Sequence, residues 1–161
     1  MVIRISKIVL LLIIALNLAI VALNNILDYN SNYEFVKNIL NMSTTFPDNN
    51  LMWRKIESPF MWNLFYIVII VCEILIAALC FAGSASLFKS LKKSDIEFNK
   101  AKKFGIIGLV FSLILYGFAF ITIGGEWFLM WQSTKWNGEL PALKMFILSG
   151  IILLFMNQKD S

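Results

Sequence analysis

The sequence predicts an all-α protein, a four-helix transmembrane bundle with short amphipathic helices on its outer face. Three observations predict it. Hydrophobic residues make up 59% of the 161-residue chain and charged ones only 15%, with a mean hydropathy of +0.76, whereas soluble domains are nearer half apolar and a quarter charged. Four apolar runs approach or exceed the roughly 20 residues that span a bilayer. Lysine and arginine concentrate in alternate connections, as the positive-inside rule requires. The length suits one integral membrane domain, 1–161.

The first run, 8–27, follows a basic head, Arg4 and Lys7. A signal peptide shares that polarity, but its apolar core is usually about 7–15 residues and ends at a small-residue cleavage site. This run is longer and continues through Asn24 and Asn25, so an uncleaved anchor is expected. The second, 60–83, follows Ser58-Pro59, a serine N-cap with proline at the first helical position. The third, 104–123, is introduced by the capping-box pattern Ser94-Asp95-Ile96-Glu97 and is expected to end at Gly124-Gly125. The fourth, 140–156, is near the lower length limit and carries Lys144 one turn in, shallow enough to snorkel to the headgroups.

Between them lie outer loops at 28–58 and 124–139 and a cytoplasmic loop at 84–103. Ser31-Asn32-Tyr33-Glu34 reads as another capping box, leading Phe35, Val36, Ile39 and Leu40 at helical spacing. Phe46-Pro47-Asp48-Asn49 reads as a turn and Leu51 to Glu57 as a second short helix. Segment 126–136 sets Trp127 and Trp131 four apart. Short amphipathic helices on the outer leaflet are expected here.

Orientation follows from the cations. Arg4, Lys7, Lys89, Lys92, Lys93, Lys100, Lys102, Lys103 and Lys159 fall on one side, and Lys37, Arg54, Lys55 and Lys135 on the other. The excess places both termini in the cytoplasm. All five tryptophans then sit at or near the outer interface.

Composition also excludes chemistry. The chain has no histidine, so the commonest metal ligand, haem ligand and general base are missing. Cys72 and Cys80 would stand about 12 Å apart along one helix, too far for a disulfide. There is no phosphate loop, metal quartet or nucleophile–base pair, so no catalytic residue, metal site or cofactor is expected. The net charge of +4 sorts by membrane side rather than forming a nucleic-acid patch. The lysines from Lys89 to Lys103 are expected to attract anionic lipid from the bilayer.

Glu73 most needs an explanation, because a carboxylate near the middle of a span is costly. Depth counting sets it level with Asn17, Ser112, Tyr116 and Ser149, an intramembrane polar layer. Glu73, Ala77, Cys80 and Ser84 form one stripe, and Gly105, Gly108, Ser112, Tyr116 and Ala119 another, whose small residues permit close helix approach. Two readings follow: a carboxyl that accepts a proton or ligand, or one bonded to Asn17 or Tyr116 that fixes helix register. A second cluster is expected at the outer mouth, from Asn24, Asn25, Asp28, Arg54, Glu126, Trp127, Trp131 and Gln132, with Trp136 and Asn137 following. There Arg54 would pair with Glu126 or Asp28. Such a rim suits a lipid headgroup, a small cation or a protein, or packs the loops onto the bundle.

The strings Ile3-Arg4-Ile5-Ser6-Lys7, Asn24-Asn25-Ile26-Leu27-Asp28-Tyr29, Thr44-Thr45-Phe46-Pro47, Met52-Trp53-Arg54, Gly124-Gly125-Glu126-Trp127-Phe128, Met130-Trp131-Gln132-Ser133 and Trp136-Asn137-Gly138 resemble a bacterial family of predicted small integral membrane proteins of unknown function. The resemblance covers nearly the whole chain. It implies a bacterial inner-membrane protein with four spans, and no activity, substrate or site residue.

Three functions are then expected in descending order. The first is a non-enzymatic accessory protein or subunit that meets a membrane-protein partner or a second copy of itself through its outer loops and bundle surface. A small transporter or proton-coupled carrier using Glu73 comes next, and a lipid- or quinone-modifying enzyme last.

Overall fold

The computed structural model describes residues 1–160, and among them there is no strand. Helix α1 runs Val2–Leu27, α2 Tyr29–Leu40, α3 Pro59–Lys89, α4 Asp95–Ala101 and α5 Lys103–Leu113. The last continues as a π-helix, Ile114–Trp127, and α6 runs Glu139–Asn157. Four of these bodies, α1, α3, α4–α5 with its π-helix, and α6, are long and apolar enough to cross a membrane. They form a transmembrane bundle in which α1 packs on α3, α3 on α5, and α5 with the π-helix on α6, which closes back on α1.

The helices outrun the apolar runs for reasons visible at their ends. Residues 2–7 join α1 because Arg4 finds partners: Nη1 donates to the carbonyls of Leu91 (3.0 Å) and Lys93 (2.8 Å), its guanidinium pairs with Asp95, and it lies 4.6 Å over the Phe98 ring. Helix α3 starts as expected, with Ser58 Oγ accepting from the Met61 N–H ahead of Pro59. It passes through Gly83, which serves close approach: a Cβ there would stand 2.5 Å from the Gly105 nitrogen of α5. In a bilayer such intimate packing, rather than hydrophobic exclusion, holds helices together.

Gly124-Gly125 does not stop the third span; the π-helix runs through both to Trp127. Its wider i→i+5 bonding shows at its end in Phe128 N–H donating to Ile123 O at 3.0 Å.

Large apolar side chains line the perimeter. Ile13 and Ile20 of α1, Ile67, Val71 and Ile74 of α3, Phe118, and Ile151 and Leu154 of α6 are all exposed. In water that surface would aggregate; in lipid it is solvated.

The loops depart from expectation. Only Asp28 separates α1 from α2, so the helix start shifts ahead of the Ser31–Glu34 box. Ser31 Oγ donates to Asp28 Oδ2 instead (2.8 Å), and Glu34 pairs with Lys37 (3.0 Å). Residues 51–57 make one 3-10 turn, Met52–Arg54, because the Ile56 N–H is drawn to the Leu40 carbonyl (2.8 Å). Segment 126–136 is no helix either. The π-helix ends, Leu129 turns left-handed at φ 55°, and a single turn follows at Met130–Gln132. Met42 shares that left-handed conformation. Both side chains are buried in one cluster with Leu40, Tyr66, Ile70 and Phe128, and this packing offsets a strain of about 1–2 kcal/mol each.

Two faces result. The tryptophan face carries residues 28–58 and 124–138. The terminal face carries both chain ends and 90–102. A clasp closes the latter: Lys7 Nζ (2.8 Å) and Lys102 Nζ (2.5 Å) converge on Asp160 Oδ2, and each also donates to the Gln158 carbonyl at 2.7 Å. Burial alone would raise the Asp160 pKa, but hydrogen bonds from Lys102 and Lys7 prevail and hold it below the ordinary value. Nothing in the sequence marked this clasp, since its members lie at positions 7, 102 and 160.

Candidate functional site: a polar cavity on Glu73

Near the tryptophan face the bundle opens into a cavity of about 540 Å³, within the ordinary size range for small-molecule sites. The end of α1, the first half of α3, the π-helix, the start of α6 and residues 135–138 enclose it, with α2 alongside. Glu73 lines it and is 2% exposed.

The carboxyl is held by an amide chain. Asn25 Nδ2 donates to Glu73 Oε2 at 2.7 Å, and Asn32 Nδ2 donates to Asn25 Oδ1 at 2.7 Å. The Asn25 carbonyl lies in the last turn of α1, where intrahelical donors run out, and accepts from Tyr66 Oη at 3.0 Å. Tyr66 packs at 4.7 Å against Tyr29, whose hydroxyl donates to Asn63 Oδ1 (2.9 Å). Burial, and then neighbouring Tyr33, push the Tyr29 phenol up, so it stays a donor.

The expected polar layer divides. Asn17 and Tyr116 line the cavity with Glu73, yet the carboxyl's partner is Asn25 rather than either of them. Asn17 is exposed, and Tyr116 packs on Phe120 at 5.6 Å. Ser112 and Ser149 bond each other at 2.7 Å, buried between α5 and α6 away from the cavity.

The expected mouth cluster divides too. Asn24 and Asn25 line the cavity, joined by Asn32, Lys135 and Asn137. Arg54, Trp127, Trp131 and Gln132 instead fasten the loops together. Arg54 meets neither Glu126 nor Asp28. Its guanidinium lies 4.4 Å over Trp127 and 5.3 Å from Trp53, and Nη1 donates to the Trp127 carbonyl at 3.3 Å. The indoles hold the cation without a carboxylate, while its Nε stays buried with no hydrogen-bond partner among the described residues. Gln132 Oε1 accepts from the Phe46 N–H (2.9 Å), and Trp131 stands edge-on to Phe46 at 5.7 Å. Glu126 and Asp28 are exposed.

Sequence reasoning missed Asn32, Tyr66 and Lys135. The clustering of asparagines at 24, 25, 30 and 32 was the available signal for the first of them.

From Glu73 toward the terminal face the interior is filled. Leu11, Ile14, Leu18, Ile76, Cys80 and Leu109 are each at most 1% exposed. This packed layer bounds the cavity on its terminal side. Among the described residues no group of three His, Cys, Asp or Glu side chains converges to hold a metal.

The chemistry on offer is recognition: one carboxyl at the floor, several carboxamides on the walls, an ammonium at Lys135, and aromatic rings between. No curated protein and no solved structure matches the chain. The model of one family, described as predicted small integral membrane protein (DUF2165), matches residues 3–159, and the chain belongs to that family.

Proposed function

We propose that the protein is a non-enzymatic binding component of a bacterial inner membrane, holding a small hydrogen-bonding ligand or lipid headgroup in the cavity on Glu73. It would act as an accessory or subunit beside a membrane-protein partner or a second copy of itself. One observation carries this reading: a buried intramembrane carboxyl, fixed by an amide chain, lines a cavity bounded on the terminal side by packed apolar side chains. An ionisable group at that depth marks function by default. The filled interior beyond Glu73 favours holding a ligand over passing one through, which ranks a carrier second. Among the described residues the one hydroxyl–carboxylate pair at the cavity, Ser31 on Asp28, is exposed to solvent rather than set in the interior, which ranks an enzyme last.

The positive-inside excess and the tryptophan-rich rim support an orientation with both termini cytoplasmic and the cavity opening outward. Anionic lipid would gather at Lys89–Lys103. Reporter fusions at residues 45 and 96 check this: cytoplasmic activity at 45 would contradict it.

Purification from native membranes in mild detergent, followed by mass spectrometry of bound molecules and proteins, tests the binding role. Wild type is expected to carry a near-stoichiometric molecule that the cavity-filling variant Ala142→Trp lacks. Equal recovery in the two, with both folded, would contradict the proposal.

A further inference from the structure

A second cavity, of about 430 Å³, lies between α3 and the π-helix. No side-chain nitrogen or oxygen lines it; its walls include Phe65, Val68 and Cys72 of α3 and Phe111, Phe118 and Ala119 opposite. It exists because the third span changes course. Its α-helical half is drawn tightly onto α3, with glycines at 105 and 108 against Gly83 and Cys80, while its π-helical half packs on α6. A wedge of space is left between α3 and the π-helix on the tryptophan side.

This apolar groove and the Glu73 cavity share four lining residues, Phe35, Val36, Ile69 and Phe120. One layer of side chains thus separates a polar chamber from an apolar one. On α3 the transition takes one turn, from Glu73 to Ile69. The charged groups of the polar chamber are one carboxyl, Glu73, and one ammonium, Lys135, the latter in the loop at the tryptophan face.

Resting on the binding role proposed above, we infer that the ligand is a phospholipid with a zwitterionic, primary-amine head. Its ammonium meets Glu73, its phosphate meets Lys135, and an acyl chain crosses the Phe35–Phe120 divide into the apolar groove. The amide walls accept the remaining ammonium hydrogens, which a trimethylated head does not have. The groove takes the chain because its lining offers a polar group no side-chain nitrogen or oxygen.

The test uses the full chain in phosphatidylcholine nanodiscs with two photoprobes. Each carries a diazirine near the end of one acyl chain; one has an ethanolamine head and the other a choline head. Crosslinked peptides are mapped by mass spectrometry. The ethanolamine probe is expected to label the groove walls, 65–75 and 111–119, at least fivefold more than the choline probe. That excess should vanish in Glu73→Gln and in the groove-filling variants Ala119→Trp and Cys72→Phe, either of which serves if the other misfolds. Equal labelling by both probes, or labelling spread over Ile13, Ile20 and Ile151, means annular lipid only and overturns the inference.

Titration with chain-free glycerophosphoethanolamine, read by the change in intrinsic tryptophan fluorescence that Trp136→Phe should abolish, separates the two proposals. Binding of this head group without groove labelling overturns the chain assignment and leaves the binding role standing. Absence of both, with no molecule co-purifying, overturns both.

Discussion

Asn25 and Glu73, 48 residues apart in sequence, meet through a buried 2.7 Å hydrogen bond that ties the end of α1 to the middle of α3. The helices are antiparallel, and each Cα–Cβ bond leans toward its own helix N-terminus. The Asn25 side chain therefore leans from the tryptophan face inward, and that of Glu73 leans outward to meet it. Removing the amide leaves a buried carboxyl without its donor, which costs about 1–3 kcal/mol. Asn25→Ala is expected to lower the thermal unfolding midpoint in detergent, and Glu73→Gln, which keeps an acceptor oxygen, to lower it much less. An unchanged midpoint for Asn25→Ala would contradict the role given to this bond.

The same lean explains what the sequence could and could not tell. Four spans and their order were legible because length and hydropathy are one-dimensional signals, and a misplaced charge singled out Glu73 in the same way. Its partner was not. Matching depths pointed to Asn17, eight residues and about 12 Å of helix from Asn25, because counting along axes ignores side-chain direction. Arg54 escaped for a related reason: a cation among indoles needs no carboxylate, so charge pairing was the wrong guide. The Gly124-Gly125 pair looked like a helix end and instead lies within a π-helix, which helix-stop signals do not distinguish.

Gly83 should tolerate nothing larger. A Cβ would sit 2.5 Å from the nitrogen and 2.7 Å from the Cα of Gly105, and backbone cannot swing aside as a side chain does. Gly83→Ala is expected to destabilise by about 1–3 kcal/mol or more. At Gly150 the nearest atom is a Leu113 methyl at 3.8 Å, so Gly150→Ala should be close to neutral. Equal midpoints for these two variants would refute the close crossing of α3 and α5.

Asp160 is the carboxylate between Lys7 and Lys102, both buried. Asp160→Asn leaves two facing ammoniums, a loss of order 3 kcal/mol for a buried pair. Amides at 156–159 should then exchange with deuterium far faster, while those of α3 stay unchanged. Because its folded-state pKa lies below the ordinary 3.8, the contribution is complete above that value and is lost as pH falls through the folded-state pKa. Tail release near neutral pH would contradict this.

Arg54 holds residues 51–58 to the end of the π-helix through Trp53 and Trp127. Arg54→Ala should cost about 1 kcal/mol locally and speed proteolysis within 48–58. Arg54→Lys should recover part of the protection, since an ammonium keeps the charge and loses the planar stack. Wild-type proteolysis rates in both variants would show that the indoles hold the loop without the cation.

The cavity lining and the packed layer beyond it predict that Glu73 is reached from the tryptophan face and sealed from the terminal face. Glu73→Cys, in a chain with Cys72→Ser and Cys80→Ala, can be exposed to a membrane-impermeant thiosulfonate from either side of oriented vesicles. Modification is predicted from the tryptophan face only, and it should disappear when Ala142→Trp fills the cavity. Modification from the terminal face, or from neither, would contradict the account.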